Sequence, residues 1–290
     1  MVTNGMPLTI MPLPETAAGN AVTDEVDLDG YLRRINYSGS IAPTLETLQA
    51  IHRLHPQAIP FENLNPLMEL PVRLQLSDIE QKLVVERRGG YCFEHNLLLK
   101  AVLESMDFSV TPLAAGVLMG NADAEPSLSH MLLLVDVGGV PHIADVGFGG
   151  QTPTAPLRLK ADVEQETPHG RYRLAGGYPK WRLDAEIAGV WTELYEFILT
   201  PRTLDDYVAM NDGTMASFRD DLRCARVDGA KRYGLRNARL NTHENGETTT
   251  RTLTSLLEIR DVLTNVIGIA LPQTDRLDVA LEKALRPGAN

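Results

Sequence analysis

The sequence predicts an α+β protein in which a helical bundle, a strand-rich unit and a small α/β unit follow one another along 290 residues. Three observations carry that order. Apolar residues recur at helical spacing through about residues 24–108, short β-rich runs separated by glycine turns fill about 109–200, and 201–290 combines an arginine-rich stretch with a closing helical pattern. Residues 1–23 hold Gly5, Pro7, Pro12, Pro14 and Gly19 without periodicity and read as a flexible N-terminal arm.

From Asp27 onward, Leu28, Tyr31, Leu32 and Ile35 fall on one face of a first helix. Thr44 stands where it can cap a second helix carrying Leu45, Leu48 and Ile51, and Ser77 with Glu80 three residues later is a capping-box pattern for a third. The run Leu97–Leu103 reads as the interior of a further helix that starts near Cys92. Strands are expected over His130–Val137, Val140–Val146, Lys180–Ile187 and Val190–Phe197. Leu277, Leu281 and Leu285 give Asp275–Leu285 helical spacing.

Composition excludes several classes. Acidic residues outnumber Lys plus Arg by 38 to 27, and the net charge of −11 disfavours nucleic-acid binding. Two cysteines, Cys92 and Cys224, cannot form a disulfide framework and fit a reducing compartment. No Lys or Arg precedes Arg33, so the opening lacks a signal or transit pattern, and the cytoplasm is the expected location. The apolar runs Met131–Val135 and Val266–Leu271 are far short of a membrane span. No GxGxxG or GxxxxGK[ST] pattern supports a nucleotide-cofactor fold. His52 and His55 form an H-x-x-H pair, yet no further Cys or His lies at ligand spacing, so no metal is expected.

The chemistry concentrates around Cys92. A thiol at a helix start meets exposed N–H groups and the positive end of the helix dipole, which favour thiolate. Gly89 and Gly90 just before it permit a tight turn and a close backbone approach to a substrate. A lone cysteine is more often a buried structural residue, so a partner base must tip the balance. His95, three residues on, is one candidate, although such pairs usually mark only a helix face. His130 is the other. If Gly138 and Gly139 are the central residues of a two-residue turn, Val137 faces Val140 and Leu132 faces Asp145, which brings His130 and Asp145 to one face as diagonal neighbours. A three-residue loop would turn Asp145 to the other face. Cys, His and Asp together supply nucleophile, base and orienter for acyl transfer through a thioester.

Four motifs in order, PFENLN at residues 60–65, RRGGYCFEHN at 87–96, HMLLLV at 130–135 and ADVGFGG at 144–150, resemble the arylamine N-acetyltransferases. The resemblance extends more weakly from Asp27 to Leu285. It implies a helical first domain (24–108), a central antiparallel β-barrel (109–200) and a C-terminal α/β lid (201–290) around a transglutaminase/papain-like Cys-His-Asp core. It makes Cys92, His130 and Asp145 the catalytic residues, Arg88 and Glu62 a structural ion pair, and Phe61, Phe93 and Phe148 the apolar lining of the acceptor pocket. Gly149, Gly150, Gln151 and Thr152 correspond to a turn near the coenzyme. The implied donor is acetyl-CoA and the implied acceptor an aromatic amine, hydrazine or N-hydroxyarylamine. An amide synthase, or an enzyme using another acyl thioester, is the alternative within this chemistry. A peptide-directed thiol enzyme and a non-catalytic binding module are alternatives outside it.

The segment Arg219–Arg239 has seven basic and three acidic residues, a local charge of +4, and reads as a solvated face or, less simply, a contact for coenzyme phosphates. Residues 209–218 only loosely resemble the family's Ser/Thr/Pro-rich stretch, which leaves acceptor preference open. The oligomeric state is open too, a homodimer among the options.

Overall fold

The computed structural model describes residues 25–120 and 126–286, so the expected arm at 1–23 lies outside the described residues. Helix α1 (Leu28–Arg34) starts where Asp27 accepts the Gly30 N–H at 2.8 Å. In α2 (Leu45–Ala58), Thr44 caps as expected, accepting the Thr47 N–H at 3.3 Å. Their apolar stripes meet inside the bundle, where Ile35, Leu48 and Ile51 are buried and each contributes about 1.5–3 kcal/mol through loss of water contact. A short strand β1 (Phe61–Glu62) and helix α3 (Leu64–Leu67) follow. The third expected helix is α4 (Leu76–Glu80), extended by a π turn over Gln81–Val85, and here the capping prediction is corrected. Gln75 occupies the cap and Ser77 lies within the helix, because the Glu80 carboxylate accepts the Asp27 N–H at 2.7 Å and ties α4 to α1. Helix α5 (Cys92–Ser105) begins at Cys92.

Eight strands make the central unit: β2 (Ser109–Val117), β3 (Leu128–Val137), β4 (Val140–Ala144), β5 (Leu157–Arg158), β6 (Glu164–Thr167), β7 (Gly170–Gly177), β8 (Lys180–Ile187) and β9 (Val190–Ile198). They pair in the order β5-β4-β3-β2-β9-β8-β7-β6, a nearly closed barrel filled by Leu113, Leu132, Leu174, Leu183 and Leu194. At the seam between β5 and β6 the Gln165 side chain substitutes for a ladder, accepting the Arg158 N–H at 2.8 Å and donating to its carbonyl at 2.9 Å. The β3–β4 hairpin has the expected two-residue turn. Gly138 and Gly139 sit at φ of 61° and 81°, the left-handed pair that a type I′ turn requires, and Val137 faces Val140. The ladder runs to Leu133 and Ala144 and leaves Asp145 just beyond its end.

The third unit opens with α6 (Leu204–Ser217), followed by β10 (Arg223–Asp228), β11 (Lys231–Arg236), β12 (Arg239–Glu244) and β13 (Glu247–Thr252). It closes with α7 (Leu256–Asp261), continued by a π turn to Ile267, and α8 (Arg276–Ala284). Its antiparallel sheet has the order β1-β10-β11-β12-β13, with Phe61 facing Ala225 and Glu62 facing Cys224. A strand from the helical stretch thus completes the sheet of the third unit.

Candidate active site

Cys92, His130 and Asp145 converge where α5, β3 and the loop after β4 meet, and all three are buried. His130 Nε2 lies 2.7 Å from Asp145 Oδ2, and the imidazole also hydrogen-bonds the Cys92 side chain. The thiol is in addition 3.6 Å from the Ser129 carbonyl. Burial alone would lower the His130 pKa, but the charge and hydrogen bond of Asp145, reinforced by Cys92, push it up to about 10. The Asp145 carboxyl is held below its ordinary range, because His130 and the surrounding donors outweigh the opposing effect of burial.

The Asp145 carboxylate is saturated. Oδ2 accepts from His130 and from the Tyr195 hydroxyl at 3.0 Å, while Oδ1 accepts from the Asn96 amide at 3.0 Å and the Gly147 N–H at 2.9 Å. Asn96, one turn along α5 from Cys92, also donates to the Met131 carbonyl at 2.7 Å and accepts from the Val146 N–H at 3.2 Å. A single amide therefore joins the helix that carries Cys92, the strand that carries His130 and the loop that carries Asp145. Gly147 lets that loop close on the helix, since a Cβ there would lie 2.8 Å from the Cys92 Cα.

The turn before Cys92 is set by internal contacts. A Cβ at Gly89 would fall 1.9 Å from the Pro60 carbonyl oxygen, and one at Gly90 would fall 2.6 Å from Glu94 Oε2. Glu94 accepts the Tyr91 N–H at 3.1 Å and Lys82 Nζ at 2.7 Å. Arg88 holds Glu62 Oε1 through Nε at 2.9 Å and Nη2 at 2.6 Å, both side chains buried. The close approach of these glycines is thus made to Pro60 and Glu94 of the protein itself, where the sequence suggested a substrate.

His95 points away from this constellation. Its Nε2 donates to the Pro60 carbonyl at 3.2 Å, so its Nδ1 accepts from His55 Nε2 at 2.8 Å, and His55 Nδ1 accepts the Tyr31 hydroxyl at 2.8 Å. Burial lowers the pKa of His95 to about 4 and that of His55 well below its usual value. His52 Nε2 accepts the Asp145 N–H at 3.1 Å. The H-x-x-H pair is engaged with protein partners, and no group of three or more His, Cys, Asp or Glu suited to a metal occurs among the described residues.

Phe148 stands edge-on to His130 with ring centroids 4.9 Å apart, and Phe61 is stacked on His95 at 6.5 Å and faces Phe218 at 6.0 Å. Both are half-buried. Phe93 differs from the sequence-based expectation of a pocket-lining residue, because it has no exposed surface and packs between Tyr91 and Tyr207 in the helical core.

Gly149, Gly150 and Gln151 form a tight 3₁₀ turn that ends at Thr152. Arg232 Nη1 donates to the carbonyls of Gly150 at 3.2 Å and Thr152 at 3.0 Å, and the Tyr172 hydroxyl donates to those of Gln151 and Thr152. Other members of the basic segment are similarly engaged: Arg226 with the Gln57 and Val266 carbonyls, Arg236 with Asp221, Lys231 with Glu244. The local charge of +4 is used mainly to fasten the third unit, which sequence spacing could not reveal. Sequence reasoning also left Asn96, Tyr195 and His52 without roles. Asn96 had a signal in its one-turn spacing from Cys92, whereas Tyr195 reaches Asp145 only through barrel closure.

The N-acetyltransferase family pattern matches residues 44–276. The chain is 41% identical to an arylamine N-acetyltransferase of Escherichia coli over 76% of this chain and 80% of that protein. It is 40% identical to the one from Mycolicibacterium smegmatis, over 88% and 96% respectively. The solved structure of the Mycobacterium marinum arylamine N-acetyltransferase in complex with CoA superposes with a TM-score of 0.86 at 37% identity, covering 89% of this chain and 99% of that one. With the motif order, the barrel and the Cys-His-Asp cluster all accounted for, the chain belongs to the arylamine N-acetyltransferase family.

Proposed function

We propose that Cys92, His130 and Asp145 carry acetyl transfer from acetyl-CoA to the nitrogen of an arylamine, an arylhydrazine or an N-hydroxyarylamine, in two half-reactions. The observation that carries this reading is the buried hydrogen-bonded series from thiol to imidazole to carboxylate. In the first half, His130, whose protonated form Asp145 favours, already holds the thiol proton, and the Cys92 sulfur attacks the acetyl carbonyl. The carbon–sulfur bond to coenzyme A breaks, and His130 returns the proton to the departing sulfur. In the second half, the acceptor nitrogen attacks acetyl-Cys92, its proton passes to His130, and Cys92 leaves as the thiolate. Asp145 fixes the ring with one nitrogen toward the thiol and stabilises the imidazolium.

Phe61 and Phe148 are assigned to the acceptor pocket, supported by the half-buried Phe148 ring against His130 and by the half-buried Phe61 ring facing Phe218 near Gly149, with Phe93 as a core support behind Tyr91. Gly149, Gly150, Gln151 and Thr152 are assigned to the coenzyme. Support comes from Arg232 and Tyr172, which hold the carbonyls of residues 150–152 and so fix the turn. The nucleophile comes from the 24–108 stretch, base and orienter from 109–200, and the 201–290 unit closes over the recess lined by Phe61, Gly149, Arg226 and Tyr233. No helix among the described residues is long and apolar enough to cross a membrane, and two free cysteines suit a cytoplasmic enzyme.

Intact-mass measurement after mixing with acetyl-, propionyl- or malonyl-CoA, without acceptor, tests the proposal. One acetyl unit on Cys92, discharged by added arylamine with a single N-acetylated product, is expected. Failure to acquire an acetyl group, or loss of it to water alone, refutes the reading. Preference for another acyl group would point to the amide-synthase or longer-chain alternative.

A further inference from the structure

We infer that His52 is a positioning residue for acetyl transfer, holding the Asp145 peptide through Nε2 and thereby the carboxylate that orients His130. The inference rests on the triad assignment made above.

The four donors around the Asp145 carboxylate fix its oxygens, and they leave open what fixes its main chain. The β3–β4 ladder ends at Leu133 and Ala144, one residue short of Asp145, so the strand pairing offers no acceptor for the Asp145 N–H. That N–H is buried, where an unmet donor is costly. His52 supplies the acceptor at 3.1 Å from α2, 93 residues away in sequence. It joins the helical stretch to the loop that carries the orienter.

The tautomer follows from this contact. Nε2 accepts, so the neutral ring carries its proton on Nδ1, and burial keeps the ring neutral by lowering its pKa to about 4. Nδ1 is buried and has no hydrogen-bond partner among the described residues. An apolar side chain of similar size would fill the same space without that orphaned N–H, but would strip the Asp145 N–H of its acceptor. The imidazole is therefore placed for what Nε2 does at the site, at some cost to local polar satisfaction.

Two variants separate positioning from packing. His52→Leu keeps the bulk and removes the acceptor, whereas His52→Gln places an amide oxygen at about the reach of Nε2. The acetylation rate of Cys92, read as coenzyme A release in a single turnover, should fall about tenfold in His52→Leu, as expected for a catalytic group displaced by a fraction of an ångström. Transfer from acetyl-Cys92 to an arylamine should slow similarly, with the apparent constant for acetyl-CoA unchanged. His52→Gln should recover most of both rates. Parent rates in folded His52→Leu, or equal losses in both variants, would overturn the inference. Should neither variant fold, long-range proton–nitrogen correlation spectra of the parent protein still decide, since they must report His52 protonated on Nδ1. Protonation on Nε2 would exclude the acceptor role. Cys92→Ala and Asp145→Asn serve as controls: near-parent activity in either defeats the triad assignment itself, whereas strongly impaired controls beside a fully active His52→Leu defeat only this inference.

Discussion

Replacing Gly147 with alanine tests whether contact between the loop after β4 and the start of α5 sets the catalytic distances. The backbone at Gly147 is not in the left-handed region, so alanine introduces no φ strain there. The penalty is contact alone. The new Cβ would lie 2.8 Å from the Cys92 Cα, 2.9 Å from Asn96 Nδ2 and 3.1 Å from the Cys92 carbonyl oxygen. Carbon atoms normally meet at about 3.5–4.0 Å, so loop and helix must separate by roughly 0.7 Å or more, and two of the three opposing atoms are main chain. Gly147 donates to Asp145 and Asn96 bridges the same loop, so the displacement reaches Asp145 and then His130. A shift of about 1 Å costs on the order of 10² in rate, which is the expected loss in kcat/KM for acetyl-CoA. Overpacking of about 1–3 kcal/mol should lower Tm by roughly 2–4 °C per kcal/mol. Gly213→Ala is the matched control. Its Cβ would meet nothing within 4 Å inside α6, so Tm should rise slightly, by the roughly 0.5–1 kcal/mol that alanine gains over helical glycine, with the rate unaltered. Parent-level acetylation in Gly147→Ala would show that this contact does not set the triad's geometry.

Substoichiometric iodoacetamide at neutral pH should label Cys92 and spare Cys224, whose thiol pKa is pushed far up by burial and which lies inside the third unit; peptide mapping that finds Cys224 labelled first would reverse the nucleophile assignment. Asp145→Asn should lower turnover by about 10²–10⁴ while the fold persists, and near-normal turnover would remove Asp145 from the orienter role. Thermal stability should fall on both sides of about pH 6.5. Protons are bound less readily by folded His52 and His95, with pKa about 4, and by His55, so their contribution is lost as pH drops below the unfolded value. His130, raised to about 10, contributes fully below its unfolded value and loses that contribution as pH climbs toward 10, so Asp145→Asn should flatten the alkaline limb of a Tm–pH series. Arg232→Met should raise the apparent constant for acetyl-CoA by freeing the carbonyls of residues 150 and 152, leaving the discharge of preformed acetyl-Cys92 nearly unchanged; an unaltered donor constant would dissociate that turn from the coenzyme.

The convergence of Cys92, His130 and Asp145 was legible wherever local geometry alone determined it. The helix start at Cys92 follows from two glycines before an apolar run, and the shared face of His130 and Asp145 follows from the period of two once Gly138-Gly139 is read as a type I′ turn. Helix α6 was not legible. Asn211, Asp212 and Gly213 weaken its interior propensity, and it persists through tertiary anchors: Tyr207 donating to the Leu113 carbonyl, and Asn211 joining the Val72 carbonyl to the Tyr91 hydroxyl. The arginines of 219–239 show the same limit. Arg226 and Arg232 bond backbone carbonyls of remote segments, which carry no signature in the sequence, whereas Arg223 and Arg236 pair with Asp221 close by.

The two residues of β1 bear on how separable these units are. Glu62 pairs across to Cys224 while its carboxylate holds Arg88 two residues from the glycine turn's end, and neighbouring Asn63 donates to the Phe218 and Asp221 carbonyls and accepts the Arg223 N–H. A fragment ending near residue 200 would strand this edge without its mate. Amide exchange should accordingly report residues 61–62, 88–92 and 223–225 opening together as one cooperative block, while the exposed outer strand β13 frays by itself. The far margin of the third sheet can thus change without disturbing the turn before Cys92, but its first strand cannot.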